Sequence, residues 1–183
     1  MTHLLNILLL EDDADDAELI VFELEKQGYE FDWERCYSAD RLRGLLGEKE
    51  WDIVISDYMM PGFNGLDALK IVKEHDFDLP FIIVSGTVGD KIAVEAMREG
   101  AHDYIMKDNM ARLGAAIERE LREADIRRDY RRTMEAYKQS EAEINTILKA
   151  SPVGIGSINN RVFGIVNDTF CEITGYSKEE VQG

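Results

Sequence analysis

Apolar residues along the first two thirds of the chain alternate between two spacings. Short runs bounded by polar residues recur at Ile7–Leu10, Phe31–Cys36, Ile53–Ile55, Phe81–Val84 and Tyr104–Met106, which predicts buried strands. Between them the spacing becomes helical. Ala17, Ile20, Val21 and Leu24 fall at i, i+3, i+4 and i+7, and Gly28 is placed to stop that helix. Ser38 is placed to cap a second helix carrying Leu42, Leu45 and Leu46. Leu66, Leu69 and Val72 mark a third. Ile92, Ala93, Ala96 and Met97 mark a fourth, with Gly100 as its stop, and Leu113, Ile117 and Leu121 open a fifth. Five strand–helix pairs in strict alternation predict an α/β fold, a doubly wound, five-stranded parallel sheet with helices on both faces.

The pattern changes after Leu113. Up to Ala150 there is no proline or strand signal. Tyr130, Met134, Tyr137, Glu141, Ile144 and Leu148 follow a 4-3-4-3-4 spacing, whereas Leu121, Ala124 and Arg128 lie in a frame offset by one residue. This predicts a long helix with a discontinuity near Asp125–Arg132, either paired with a second copy as a short coiled coil or packed alone on its own domain. Ser151-Pro152 ends it. Two candidate strands follow, Gly154–Ile158 and Val162–Val166, joined at Asn159-Asn160 as a hairpin turn. A short helix is expected near Asp168–Thr174, and Ser177 with Glu180 forms a capping box opening another. The expected domains are residues 1–124, a helical linker at 125–150, and the start of a truncated domain at 151–183. Those last residues are too few to bury a core of their own.

Charge refines this picture. The net charge is −16, and residues 1–110 carry most of it, with 25 acids against 10 bases. So negative a domain would be repelled by a phosphate backbone, and nucleic-acid binding by it is not expected. No apolar stretch approaches the roughly 20 residues that cross a bilayer, so no membrane contact is expected of these residues. The start, MTHLLNILLLEDD, lacks the basic and small-residue flanks of a secretory signal. Two cysteines in unlike contexts, Cys36 and Cys171, fit a reduced, cytoplasmic protein.

In an open parallel sheet, ligands bind at the carboxyl ends of the strands. The notable polar residues fall there: Glu11 and Asp12 after the first strand, Asp57 after the third, Ser85 ending the fourth and Lys107 ending the fifth. Three carboxylates crowded into one cleft call for a cation, and hard oxygen ligands suit Mg²⁺. With that charge neutralised, an aspartate oxygen can attack phosphorus. The phosphoryl group would then need a cation and a hydroxyl, which Lys107 and Ser85 offer, with Gly86 leaving room for it. Each residue also has a plainer use. Glu11, Asp12 and Asp13 can cap and charge the first helix, Ser85 and Asp57 can be turn residues, Lys107 a surface lysine and Tyr104 a core residue. A phosphatase with an aspartate nucleophile needs a second acid two residues on, and Met59 cannot serve as one.

LLLEDD, ISDYMMPGFNG, IIVSGT and DYIMKD together make residues 4–124 resemble the receiver domain of two-component response regulators. The resemblance implies a flavodoxin-like fold and a phosphorelay role. Asp57 would accept the phosphoryl group of a histidine kinase or phosphotransfer protein. Asp12, Asp57 and the Met59 carbonyl would hold Mg²⁺, with Glu11 assisting through water. Ser85 and Lys107 would grip the phosphoryl group. Tyr104 would rotate inward, altering the face made by the fourth helix, fifth strand and fifth helix, a further surface for a homodimer. Residues 146–183, above all NDTFCEITGYSKEEVQG, resemble the opening of a PAS sensory domain. Such layouts look like the front of larger sensory proteins, often histidine kinases. None of His3, His75 or His102 has the context of a kinase's phospho-accepting histidine, so kinase activity is not expected in this stretch, whose receiver would catalyse only its own phosphorylation and dephosphorylation.

Overall fold

A computed structural model of the chain describes residues 4–76, 78–86, 90–159 and 162–181. The chain divides into two compact units, residues 1–128 and 129–183. In the first, β1 (Leu5–Leu10), α1 (Ala14–Lys26), β2 (Phe31–Cys36), α2 (Ala39–Glu48) and β3 (Ile53–Asp57) follow in order. A two-residue ribbon comes next, β4 (Met59–Met60) against β5 (Phe63–Asn64). Then come α3 (Gly65–His75), β6 (Phe81–Ser85), α4 (Asp90–Glu99), β7 (Asp103–Met106), a 3₁₀ turn at Lys107–Arg112, and α5 (Leu113–Ala150). The five main strands are parallel and ordered β2-β1-β3-β6-β7, the flavodoxin-like order of a doubly wound sheet.

Side chains alternate across the pleat, so each central strand feeds two cores. Leu8, Leu10, Val54, Phe81 and Ile83 face α2, α3 and α4, packing on Leu42, Leu45, Leu69, Val72 and Ala96. Ile7, Leu9, Ile53, Ile55, Ile82 and Val84 face α1 and α5, against Ala17, Ile20, Leu24, Leu113 and Ile117. The helix boundaries have local causes. Asp13 caps α1 by accepting from the Asp15 and Asp16 N–H groups, Ser38 caps α2, and Asn64 caps α3. Gly28 and Gly100, at φ of 86° and 88°, take the left-handed conformation that follows α1 and α4.

Three expectations need correction. Phe31–Cys36 is an edge strand with only Cys36 buried, and β7, the other edge, buries only Ile105. Their polar residues face water because each has a neighbour on one side only. Met97, expected on the inner face of α4, is exposed, whereas Ala96 is buried and Ile92 and Ala93 are half-buried. Finally, α5 runs unbroken through Asp125–Arg132. The offset between its two apolar frames appears as a change from buried to exposed residues, not as a break in the backbone.

The second unit holds the distal part of α5, the antiparallel hairpin β8 (Gly156–Asn159) and β9 (Val162–Val166), α6 (Asp168–Thr174) and α7 (Lys178–Val181). Asn160, in the expected turn, lies outside the described residues. Buried Asn167 organises this unit. Its Oδ1 accepts from the Ile155 and Phe170 N–H groups, at 2.8 and 3.0 Å. Its Nδ2 donates to the Leu148 and Val153 carbonyls, at 3.1 and 2.9 Å. Phe163 and Phe170 pack beside it, and the capping box is reciprocal: Ser177 N–H donates to Glu180, and Glu180 N–H to the Ser177 hydroxyl. No helix among the described residues is long and apolar enough to cross a membrane.

Candidate functional site

Strand register carries the polar residues to one edge. Asp57 is the last residue of β3 and pairs with Val84, so Ser85 lies one step beyond it on the neighbouring strand. Ser85 pairs in turn with Met106, the residue before Lys107. On the other side of β3, Leu10 pairs with Ser56, and the next residue is Glu11. Glu11 and Ser85 are each 1% exposed and Asp57 8%, while Asp12 faces water.

Glu11, Asp12 and Asp57 each bring one carboxylate oxygen to within 4.8 Å of the other two. Three hard oxygens with no sulfur or imidazole among them are a donor set suited to a small divalent cation. Lys107 joins them from the far edge. Its Nζ lies 2.9 Å from Glu11 Oε2, 2.5 Å from Asp16 Oδ2 and 3.4 Å from Asp57 Oδ2. Burial raises the Glu11 carboxyl above its usual range, against the opposing pull of the Lys107 hydrogen bond and the Asp13 N–H. Burial pulls the Lys107 ammonium down, but its hydrogen bonds to Asp16 and Glu11 and the Asp57 charge outweigh that and hold it above the ordinary lysine range.

The loop that follows β3 is fixed from behind. The buried Ser56 hydroxyl donates to the Asp57 carbonyl at 2.8 Å, and the Gly65 N–H donates to the Tyr58 carbonyl at 2.9 Å. A Cβ on Gly65 would stand 2.9 Å from the Asp57 carbonyl oxygen, so only glycine lets α3 begin this close to Asp57. From β2, the Arg35 guanidinium donates to the Asp12 carbonyl at 3.1 Å, and so steadies the acidic loop.

Of the residues singled out from sequence, the structure brings together Glu11, Asp12, Asp57 and Lys107, with Ser85 on the adjoining strand end. Gly86 leaves room beside Lys107, where an added Cβ would make only an ordinary contact at 3.7 Å. Met59 sits in the short ribbon with its side chain exposed. Tyr104 is half-buried against the α2/α3/α4 core, near enough to Tyr58 that it and Glu95 add to the burial raising the Tyr58 pKa. Thr87 lies outside the described residues. Sequence reasoning missed Asp16, Ser56, Arg35 and Gly65. Asp16 carried a signal: it lies one turn before buried Ile20 on the same helical face.

Residues 7–118 match the response regulator receiver domain family. Over 129 residues the chain is 34% identical to the transcriptional regulatory protein FixJ of Bradyrhizobium diazoefficiens, covering 68% of this chain and 60% of that protein. It is 32% identical over 111 residues to the phosphoglycerate transport system transcriptional regulatory protein PgtA of Salmonella typhimurium, covering 56% of this chain and 24% of the other. The chain thus spans less than two thirds of the curated relatives it matches. Among solved structures, a CheY-like receiver domain protein from Methanospirillum hungatei superposes with a TM-score of 0.59 at 25% identity, over 68% of this chain and 99% of the other. A receiver domain protein from Clostridium thermocellum gives 0.58 at 28%, over 67% and 98%. The expectation of no nucleic-acid partner, drawn from charge, finds no support among these relatives, which are named as transcriptional regulators. Fold, acidic edge and sequence agree, and the chain belongs to the response regulator receiver domain family.

Proposed function

We propose that this chain is a phospho-accepting receiver in a phosphorelay, with Asp57 as the acceptor. A Lys107 ammonium at the end of β7, set among the carboxylates of Glu11, Asp57 and Asp16, is the observation that carries this. In the transfer, an Asp57 carboxylate oxygen forms a bond to phosphorus as the phosphorus–nitrogen bond of the donor's phosphohistidine breaks. The imidazole leaves with the electron pair and takes up a proton. Lys107 and the Ser85 hydroxyl then hold the phosphoryl oxygens. Glu11, Asp12, Asp57 and the Met59 carbonyl are the groups that would hold Mg²⁺, whose chemistry is to neutralise the converging negative charge. The donor is a histidine kinase or phosphotransfer protein, which sets this domain in the cytoplasm.

The added group carries about −2 charge. It draws Ser85 toward itself, Tyr104 turns into the vacated space, and the face of α4, β7 and α5 repacks. We infer that the 125–150 stretch of α5 relays this change as a helix paired with a second copy through Tyr130, Met134, Tyr137 and Ile144. It leads to residues 151–183 as the opening of a PAS domain in a larger sensory protein such as a histidine kinase. The resemblance of NDTFCEITGYSKEEVQG to the opening of such a domain is what favours that assignment. The relatives' names favour a second reading, in which the receiver controls a transcriptional output elsewhere in its protein.

Incubation with acetyl phosphate and Mg²⁺, followed by intact-mass measurement, tests the acceptor. The parent chain gains one acid-labile phosphoryl group and Asp57→Asn gains none. A parent that gains nothing, or an unaffected Asp57→Asn, overturns the proposal.

A further inference from the structure

Lys107 has three N–H donors, and three carboxylates take them. The closest is not the acceptor. Asp16 lies at 2.5 Å and Glu11 at 2.9 Å, while Asp57, at 3.4 Å, is the most distant of the three. Glu11 belongs to the Glu11–Asp12–Asp57 cluster and so has other work. Asp16 stands outside that cluster and reaches the site only through the lysine. Its backbone is held by the α1 cap, where its N–H donates to Asp13 Oδ1, and its side chain projects from the first turn of the helix.

A phosphoryl group on Asp57 presents three new acceptor oxygens to the same ammonium. Since all three lysine donors are already directed, a stronger bond to the phosphoryl oxygens requires a weaker bond to one of the present partners. We propose that Asp16 is a positioning residue: it holds Lys107 beside the unmodified acceptor and competes with the phosphoryl group for it, so setting how tightly this chain retains that group. This deepens the assignment of Asp57 as the acceptor and rests on it. The Asp16 side chain is 39% exposed, so water screens the pair and the effect is graded, not all-or-none.

Beryllium trifluoride with saturating Mg²⁺, titrated into the full chain and followed by heteronuclear NMR, reads the competition directly. Asp16→Asn binds this phosphoryl mimic about three-fold more tightly than the parent. Asp15→Asn removes the same charge from the same exposed turn without removing a Lys107 partner, and it stays with the parent. Asp16→Glu, which keeps a carboxylate for Lys107, also stays with the parent. An Asp16→Asn affinity equal to that of Asp15→Asn, or weaker than the parent's, overturns the inference, as does an Asp16→Glu that matches Asp16→Asn. A parent that binds no mimic overturns the acceptor assignment and this inference together, so the two failures are distinguishable.

Discussion

The two ends of α5 share one helix and opposite surroundings. From Leu113 to Ala124 the apolar spacing is buried: Leu113, Ala116 and Ile117 lie against the sheet, Ala124 is buried as well, and Tyr29 donates from its hydroxyl to the Gly114 carbonyl. From Tyr130 to Ile147 the spacing is just as regular, yet Tyr130, Tyr137, Ile144 and Ile147 are all exposed. A helical apolar period therefore states that a face wants covering, and says nothing about what covers it. Between the two lies a polar anchor. Arg127 reaches Asp78 at 3.6 Å and Arg128 reaches Asp76 at 4.0 Å, both from the end of the first unit to the segment after α3.

Truncation separates the two halves most sharply. Ile117→Ala opens a cavity in the core and costs about 2–5 kcal/mol of unfolding free energy, measured by denaturant titration. A cost under about 1 kcal/mol would mean that the proximal half is not anchored as described.

Acidification gives the next largest effect, confined to the anchored end. Burial, then the Arg127 and Lys73 charges, lower the His102 pKa from 6.5 to about 4, and its Nδ1 accepts from the Phe81 N–H. Between those two values the unfolded chain binds the extra proton, so stability is present above about pH 6.5 and falls as the pH drops toward 4. The loss from this one group reaches about 3 kcal/mol, and His102→Gln should flatten that part of the pH profile. A profile unchanged in the variant would remove His102 from the anchor.

Ile144→Ala is the mildest change, below about 0.5 kcal/mol at the lowest workable protein concentration. If a second copy covers the distal face, the parent's melting temperature rises with concentration and that of Ile144→Asp does not. A parent melting temperature independent of concentration would leave the two halves of α5 different in surroundings and the distal one uncovered.

Much of the receiver was legible because its signals are local. Strand runs and helix periods follow from the two spacings, and the Ser38 cap acts within a few residues of itself, as the Ser177–Glu180 box does in the second unit. The site was legible for a related reason: a parallel sheet places every strand end on one edge, so Glu11, Asp57, Ser85 and Lys107 could be grouped before any distance was known. What stayed hidden depends on neighbours. Phe31–Cys36 and Tyr104–Met106 spell strands, but nothing in them states that each lies at an edge. Met97 follows the helical period of α4, but the buried contact of that helix is made at Ala96 and Met97 stays exposed. Ser56 and Gly65 matter through a single peptide carbonyl, which no residue pattern reports.

Asn167 shows how much one side chain can specify. Its donors face the Leu148 and Val153 carbonyls while its acceptor faces two N–H groups, so orientation is dictated on both sides of the amide. An aspartate of the same size would turn two attractive contacts into oxygen–oxygen repulsion. Spontaneous loss of ammonia at this one position would thus unfasten the end of the long helix from the loop after it, through a change of a single dalton and with no alteration in bulk.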